Sequence, residues 1–169
     1  TDAGSVVRYR ERLGHEQVDC LPFAVQPRLH HPFLRPGQSR CEGSFFAGAW
    51  YPHLQERCRD FTTLADALAL AGPLVIHDRN GQGGGNNYPR QYAPLVRDAV
   101  PYEQTGELYR SYRIGLTLNT IKQSPTMFAR RAMELACTNT SVYSNYSQGL
   151  AMLMGDLVRM TDDGQTMFE

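Results

Sequence analysis

From residue 44 onward, apolar positions come in short runs that alternate with longer amphipathic stretches. Ser44-Phe45-Phe46-Ala47-Gly48 reads as a short buried strand closed by a glycine. Residues 54–70 follow with helical spacing, placing Leu64, Leu68 and Ala71 on one face. Leu74-Val75-Ile76-His77 is a second strand, and a polar glycine loop over 80–87 comes after it. A third, weaker strand covers about 96–100, then a helix 103–112, then a fourth strand, Ile114-Gly115-Leu116-Thr117-Leu118-Asn119. The pattern continues with a helix over 125–137, a strand over 141–144, a short helix over 148–154 and a last strand over 157–159. Strand and helix in alternation imply crossover units and a parallel sheet with helices on both faces. The expected fold is therefore α/β, Rossmann-like, with about six strands. Ligands of such sheets lie beyond the carboxyl ends of the strands, which directs attention to the loops at 48–52, 78–87, 101–102, 119–126 and 144–147.

Upstream of residue 44 this alternation is missing. Residues 1–43 hold a charged opening, then Leu21-Pro22-Phe23-Ala24-Val25, then a stretch rich in Pro, His and Arg. Prolines at 22, 27, 32 and 36 forbid a long helix and favour extended or turn backbone. This part reads as an incoming linker on the surface of a domain formed by residues 44–169.

A chain of 169 residues supports one substantial core and is too short for two ordinary domains. Its hydrophobic share, 41%, is well above a disordered composition. Seventeen basic residues balance seventeen acidic ones, which argues against wholesale nucleic-acid binding. Lys122 is the sole lysine. Arginine in such excess suits bidentate recognition of phosphate or carboxylate, and a GC-rich genome produces the same bias. The four cysteines, at 20, 41, 58 and 137, form no CxxC pair or zinc spacing and read as reduced thiols. No apolar run approaches transmembrane length and no leader pattern opens the chain, so a soluble, cytoplasmic protein is expected. The abrupt ends suggest a piece of a longer protein.

The most informative stretch is Ser124-Pro125-Thr126-Met127-Phe128-Ala129-Arg130-Arg131-Ala132-Met133-Glu134-Leu135-Ala136-Cys137. Ser124 before Pro125 has the form of an N-cap and first-turn proline, and Asn139 suits the left-handed residue that ends a helix. At 100° per residue, Phe128, Ala132, Leu135 and Ala136 make an apolar stripe, with Met127, Arg130, Arg131 and Glu134 opposite. Two arginines near a helix start oppose its dipole, at about 0.3–1 kcal/mol each when exposed. A bound anion would reverse that sign. A solvated Arg130–Glu134 pair one turn apart is the alternative.

An ordered set of motifs resembles the donor-binding half of glycosyltransferases with the two-Rossmann-domain (GT-B) architecture, especially the bacterial spore-coat (CgeB-like) group-1 enzymes. Its pieces are Val100-Pro101-Tyr102-Glu103, Leu108-Tyr109, the fourth strand, and the Ser124 to Cys137 stretch. Ser144-Asn145-Tyr146-Ser147-Gln148-Gly149 and Gly155-Asp156-Leu157-Val158 complete it. Upstream, Leu21-Pro22-Phe23-Ala24 and Phe46-Ala47-Gly48-Ala49-Trp50-Tyr51 resemble that family's interdomain lead-in and first strand-loop. The resemblance implies that this chain binds a nucleoside-diphosphate sugar without a metal or permanent cofactor. A preceding acceptor-binding domain would complete an enzyme of polysaccharide biosynthesis, transferring the sugar to a glycan or other cell-surface acceptor. The family's second glutamate, which meets the nucleotide ribose, falls on Glu134. The first falls on Thr126, a departure that leaves the catalytic residues unassigned. By the same resemblance Pro101 and Tyr102 meet the base, and Gly48 lets a donor phosphate approach. Thr126, Met127 and Phe128 would hold the diphosphate at the helix start beside Arg130, with Arg57 or Arg59 supplying further positive charge. Ser144 and Asn145 lie in a crevice loop.

A non-catalytic nucleotide-binding or scaffold module that inherited the fold is the competing expectation, supported by the missing glutamate. A nicotinamide-cofactor domain is disfavoured, because Gly81, Gly83, Gly84 and Gly85 fail the GxGxxG spacing and follow the second strand. His77-Asp78-Arg79 ends that strand where it could face the crevice. His30-His31 lies in the proline-rich segment without metal-ligand partners.

Overall fold

The computed structural model describes residues 2–81 and 87–168, and Gly83, Gly84 and Gly85 of the glycine loop lie outside them. Six strands form one all-parallel sheet: β1 (Cys41–Gly48), β2 (Leu74–Asp78), β3 (Val96–Arg97), β4 (Tyr112–Thr117), β5 (Ser141–Ser144) and β6 (Val158–Met160). Their order is β3-β2-β1-β4-β5-β6. The chain winds outward from β1 in one direction and restarts beside β1 at β4, so a crevice opens beyond the carboxyl ends of β1 and β4. The helices are α1 (Val6–Leu13), α2 (Gln55–Ala71), α3 (Thr105–Ser111), α4 (Arg131–Cys137) and α5 (Gln148–Met154).

Side chains alternate across the sheet, and both faces are covered. Phe45 and Phe46 are both fully buried, yet they enter different cores. Phe46 packs with Phe61, Leu64 and Leu68 of α2 and with Ile76, Leu116 and Tyr143. Phe45 packs with Tyr109 of α3, Ala132 and Leu135 of α4, Leu150 of α5 and Val142. Burial on two faces is why these strands appear as continuous apolar runs. Each fully buried Leu or Phe contributes about 1.5–3 kcal/mol. Gly115 of β4 sets how near α4 can come, since a Cβ there would lie 2.5 Å from Leu135 Cδ2 and 2.8 Å from Cδ1.

Three local expectations change. The helix expected over 125–137 begins only at Arg131. Ser124 Oγ does accept from Met127 N–H (3.0 Å), as an N-cap would, but Ala129 N–H donates to Asn119 Oδ1 (2.7 Å). That side-chain bond replaces the helical one, and 125–130 stays a loop. The seven-residue α4 then ends as expected, with Asn139 left-handed (φ 56°). The second change is α1, a helix inside the segment expected to be irregular. It buries no side chain, and Gly14 closes it in the left-handed region (φ 60°). The third strand is also shorter than expected, at two residues, and a 3₁₀ turn (Tyr102–Gln104) leads into α3.

Candidate functional site

A cavity of about 400 Å³ lies at the carboxyl end of β1 and β2, walled by the 99–102 loop, α3 and the first turn of α4. Gly48, His77 and Arg79 come from the strand ends, Pro101, Tyr102, Thr105 and Tyr109 from the α3 side, Arg130 from the residue that caps α4, and Arg131 and Glu134 from α4 itself. Pro101, Tyr102, Gly48, Arg130 and Glu134 therefore line one cavity.

Glu134 is the central group. Its side chain is only 6% exposed, and Arg130 Nε donates to its Oε1 at 3.0 Å. The i,i+4 pair is thus formed, but on a carboxylate buried against the cavity, where losing the partner costs far more than at a surface. Arg130 also lies over the Tyr102 ring, 5.9 Å from its centroid. Arg131 Nε donates to Tyr109 Oη (3.3 Å), and its guanidinium reaches over the Phe46 ring at 5.8 Å. Burial pushes the Tyr109 phenol up from its ordinary pKa, so it stays protonated near neutral pH. With Arg79, three guanidiniums face one carboxylate, a balance suited to a ligand that carries several negative charges.

His77 and Arg79 reached the cavity from a strand end that sequence alone left open. His77 Nδ1 is 3.1 Å from Asp98 O, and a carbonyl only accepts, so Nδ1 is the donor there. Arg79 N–H donates to Gly48 O (2.9 Å), which ties the ends of β1 and β2 together. Gly48 has a packing reason of its own: a Cβ there would meet the Phe46 ring at 2.5 Å. Tyr109 and Arg131 were within quoted motifs, but nothing local distinguished them as cavity residues.

The remaining expected site residues lie elsewhere. Thr126 Oγ1 accepts from Ala3 N–H at 2.8 Å, and Phe128 packs edge-on against Phe23 (5.7 Å). Met127 and Phe128 line a separate cleft of about 240 Å³ with Leu118 and Ile121. Arg57 is buried and Arg59 exposed on α2. Arg57 Nη1 donates to Ala49 O (3.0 Å), and its guanidinium covers the Tyr51 ring at 5.1 Å. It borders a third cavity, of about 250 Å³, with Asp60, Asn119 and Lys122. Ser144 and Asn145 are wholly buried in an amide network. Asn119 N–H donates to Asn145 Oδ1 (2.7 Å), Asn119 Nδ2 donates to Ser144 Oγ (2.9 Å), and Asn145 Nδ2 donates to Asp60 Oδ2 (2.6 Å) and Asn119 O (2.9 Å). That network pins the loops after β4 and β5 to α2. Among the described residues no group of three or more His, Cys, Asp or Glu is placed to hold a metal ion, and no helix is long and apolar enough to cross a membrane.

No family model and no curated protein sequence matches this chain. Among solved structures it is similar to the crystal structure of AviGT4, a glycosyltransferase involved in avilamycin A biosynthesis. The TM-score is 0.55 at 19% identity, over 91% of this chain and 47% of that one. At that identity the likeness is one of fold, and the chain spans about half the length of the structure it matches.

Proposed function

We propose that this chain is the donor-binding half of a GT-B glycosyltransferase, holding a nucleoside-diphosphate sugar whose glycosyl group passes to an acceptor bound by a preceding domain. The observation that carries this reading is a nearly buried carboxylate, Glu134, in a strand-end cavity with three arginines. A carboxylate so placed can accept from the two hydroxyls of a ribose, while the guanidiniums neutralise a diphosphate. Pro101 and Tyr102 line the same cavity and would meet the base in this reading. The leaving diphosphate is stabilised by cationic side chains in this reading, with no metal required and no permanent cofactor. The spore-coat (CgeB-like) group is the branch that the motifs favour, and a glycan or other cell-surface acceptor follows from that placement, as does a cytoplasmic bacterial enzyme. The similarity in fold to a glycosyltransferase agrees with this reading.

One observation favours the competing scaffold reading: the Thr126 hydroxyl, at the position of the family's first glutamate, is hydrogen-bonded to Ala3. The two readings separate on a titration of the chain with UDP, GDP, CMP and dTDP, followed by amide shifts. The donor reading expects one of them to bind saturably, with shifts at Tyr102, Arg130 and Glu134. Silence from all four at millimolar concentration would favour the scaffold.

A further inference from the structure

We infer that residues 26–31 form a strap that positions the cavity's aromatic wall, with His30 as the positioning residue, so that seating of the strap and occupation of the cavity are thermodynamically linked. The part concerning ligand rests on the donor-site reading; the part concerning the wall does not.

The strap is held to α3 by backbone as well as side chain. Leu29 and His30 N–H both donate to Gln26 O (3.0 and 2.9 Å), which makes a tight turn. The turn's outward carbonyls meet Arg110 of α3, whose Nη1 donates to Leu29 O at 2.7 Å and to His31 O at 3.3 Å. Gly106, one turn before Arg110, has no Cβ, and one placed there would run into the Leu29 carbonyl oxygen. The sequence thus provides a gap and a clamp on one face of α3 for this one peptide group.

His30 transmits that docking to the cavity. It is 2% exposed, its ring stacks on Tyr109 (5.7 Å, 22°), and it meets Tyr102 edge-on (6.0 Å). Its Nε2 is 3.2 Å from Thr105 Oγ1, and that hydroxyl donates its one proton to Tyr102 O at 2.7 Å. Oγ1 must therefore accept from His30, which fixes the ring as the Nε2–H tautomer. The chain His30 Nε2–H, Thr105 Oγ1–H, Tyr102 C=O runs from a residue outside the α/β domain to the residue beside the proposed base position. It leaves His30 Nδ1 buried without a partner among the described residues. Such an atom costs about 1–3 kcal/mol, which the strap's other contacts offset. The charged groups facing the ring are Glu134, Arg130 and Arg110.

The test compares this chain with its His30→Phe and His30→Gln variants. Phenylalanine keeps a ring for stacking and removes the donor, whereas glutamine can restore a donor near Nε2. Amide hydrogen exchange without ligand is the first reading. We expect His30→Phe to speed exchange at Gln104 and α3 at least tenfold while β1 is unchanged, and His30→Gln to recover most of it. Equal exchange in His30→Phe and the parent would overturn the strap, whatever the protein binds. So would uniform acceleration throughout the sheet, which marks plain destabilisation. The second reading is reciprocity: by linkage, a nucleotide that binds must slow exchange at Leu29 and His30 N–H, and His30→Phe must weaken it by the same factor. If a nucleotide binds and neither happens, the linkage is refuted. If none of UDP, GDP, CMP or dTDP binds while the exchange effect is present, the donor-site reading fails and the strap's hold on the wall stands.

Discussion

Gly115→Ala tests how closely α4 is held to the sheet, and hence how Glu134 is placed. The new Cβ would sit 2.5, 2.8 and 3.2 Å from Leu135 Cδ2, Cδ1 and Cγ, inside normal contact distance. Leu135 is 0% exposed and has nowhere to swing. Overpacking of this kind costs about 1–3 kcal/mol. Alanine also reduces the unfolded chain's freedom and returns about 0.4–1 kcal/mol. A net loss of about 1–2 kcal/mol is expected, or a fall of several degrees in Tm for a chain this size. Leu135→Ala alone should cost about 2–5 kcal/mol through its cavity. In the double variant the alanine Cβ fills part of that cavity and has no leucine to strike. The pair should therefore fall short of additivity by about 1–3 kcal/mol. Urea unfolding of the four proteins measures this directly. Additive losses would refute the claim that Gly115 is required by Leu135, and a neutral Gly115→Ala would show that α4 is free to move.

Asn145→Ala should be among the more damaging substitutions outside the cores. It orphans Asn119 N–H and Asn119 O and takes a donor from Asp60, at about 1–3 kcal/mol for each buried group, and urea unfolding would show it. His30 predicts a pH dependence. Burial is the main cause that lowers its pKa below 6.5, with Arg130 and Arg110 acting the same way and Glu134 opposing. Because the unfolded chain then binds the proton more readily, stability is whole above about pH 6.5 and is lost as pH falls toward the folded value. The difference between parent and His30→Gln unfolding curves from pH 7 to 5 should slope in that direction, by no more than about 1.4 kcal/mol per pH unit. A flat difference would contradict it.

Most of the sheet was legible because its central strands carry compact apolar runs that feed two cores. Phe45 and Phe46, or Val142 and Tyr143, need no partner information to be recognised as strand. The start of α4 was not legible, since Ser124-Pro125 carries a sound capping signal and is overruled by the side chain of Asn119, five residues before Ser124. Nothing in the local stretch says that this amide oxygen will take the Ala129 N–H. α1 escaped because it is short and lies in a proline-rich segment, and it buries no side chain in either core. Within the site, Glu134 could be singled out, but the periodicity put it on a polar face that seemed bound for solvent. That face instead meets Tyr109 and the 99–102 loop across the cavity. His30 carries no local signal, since a histidine in a proline-rich stretch has no neighbour that marks its role. Its role depends on Gly106 and Arg110, about eighty residues downstream, which no reading of the local stretch joins to it.

The central claim concerns Glu134, and one measurement addresses it most directly. Nucleotide affinity should be determined by amide-shift titration for the parent chain and for Glu134→Gln, with the unfolding free energy of each measured alongside. The account predicts that one nucleoside diphosphate binds the parent and that glutamine weakens it at least tenfold while the fold persists. Equal affinity in the two proteins would mean that the carboxylate serves Arg130 alone, and the donor site would have to be sought elsewhere.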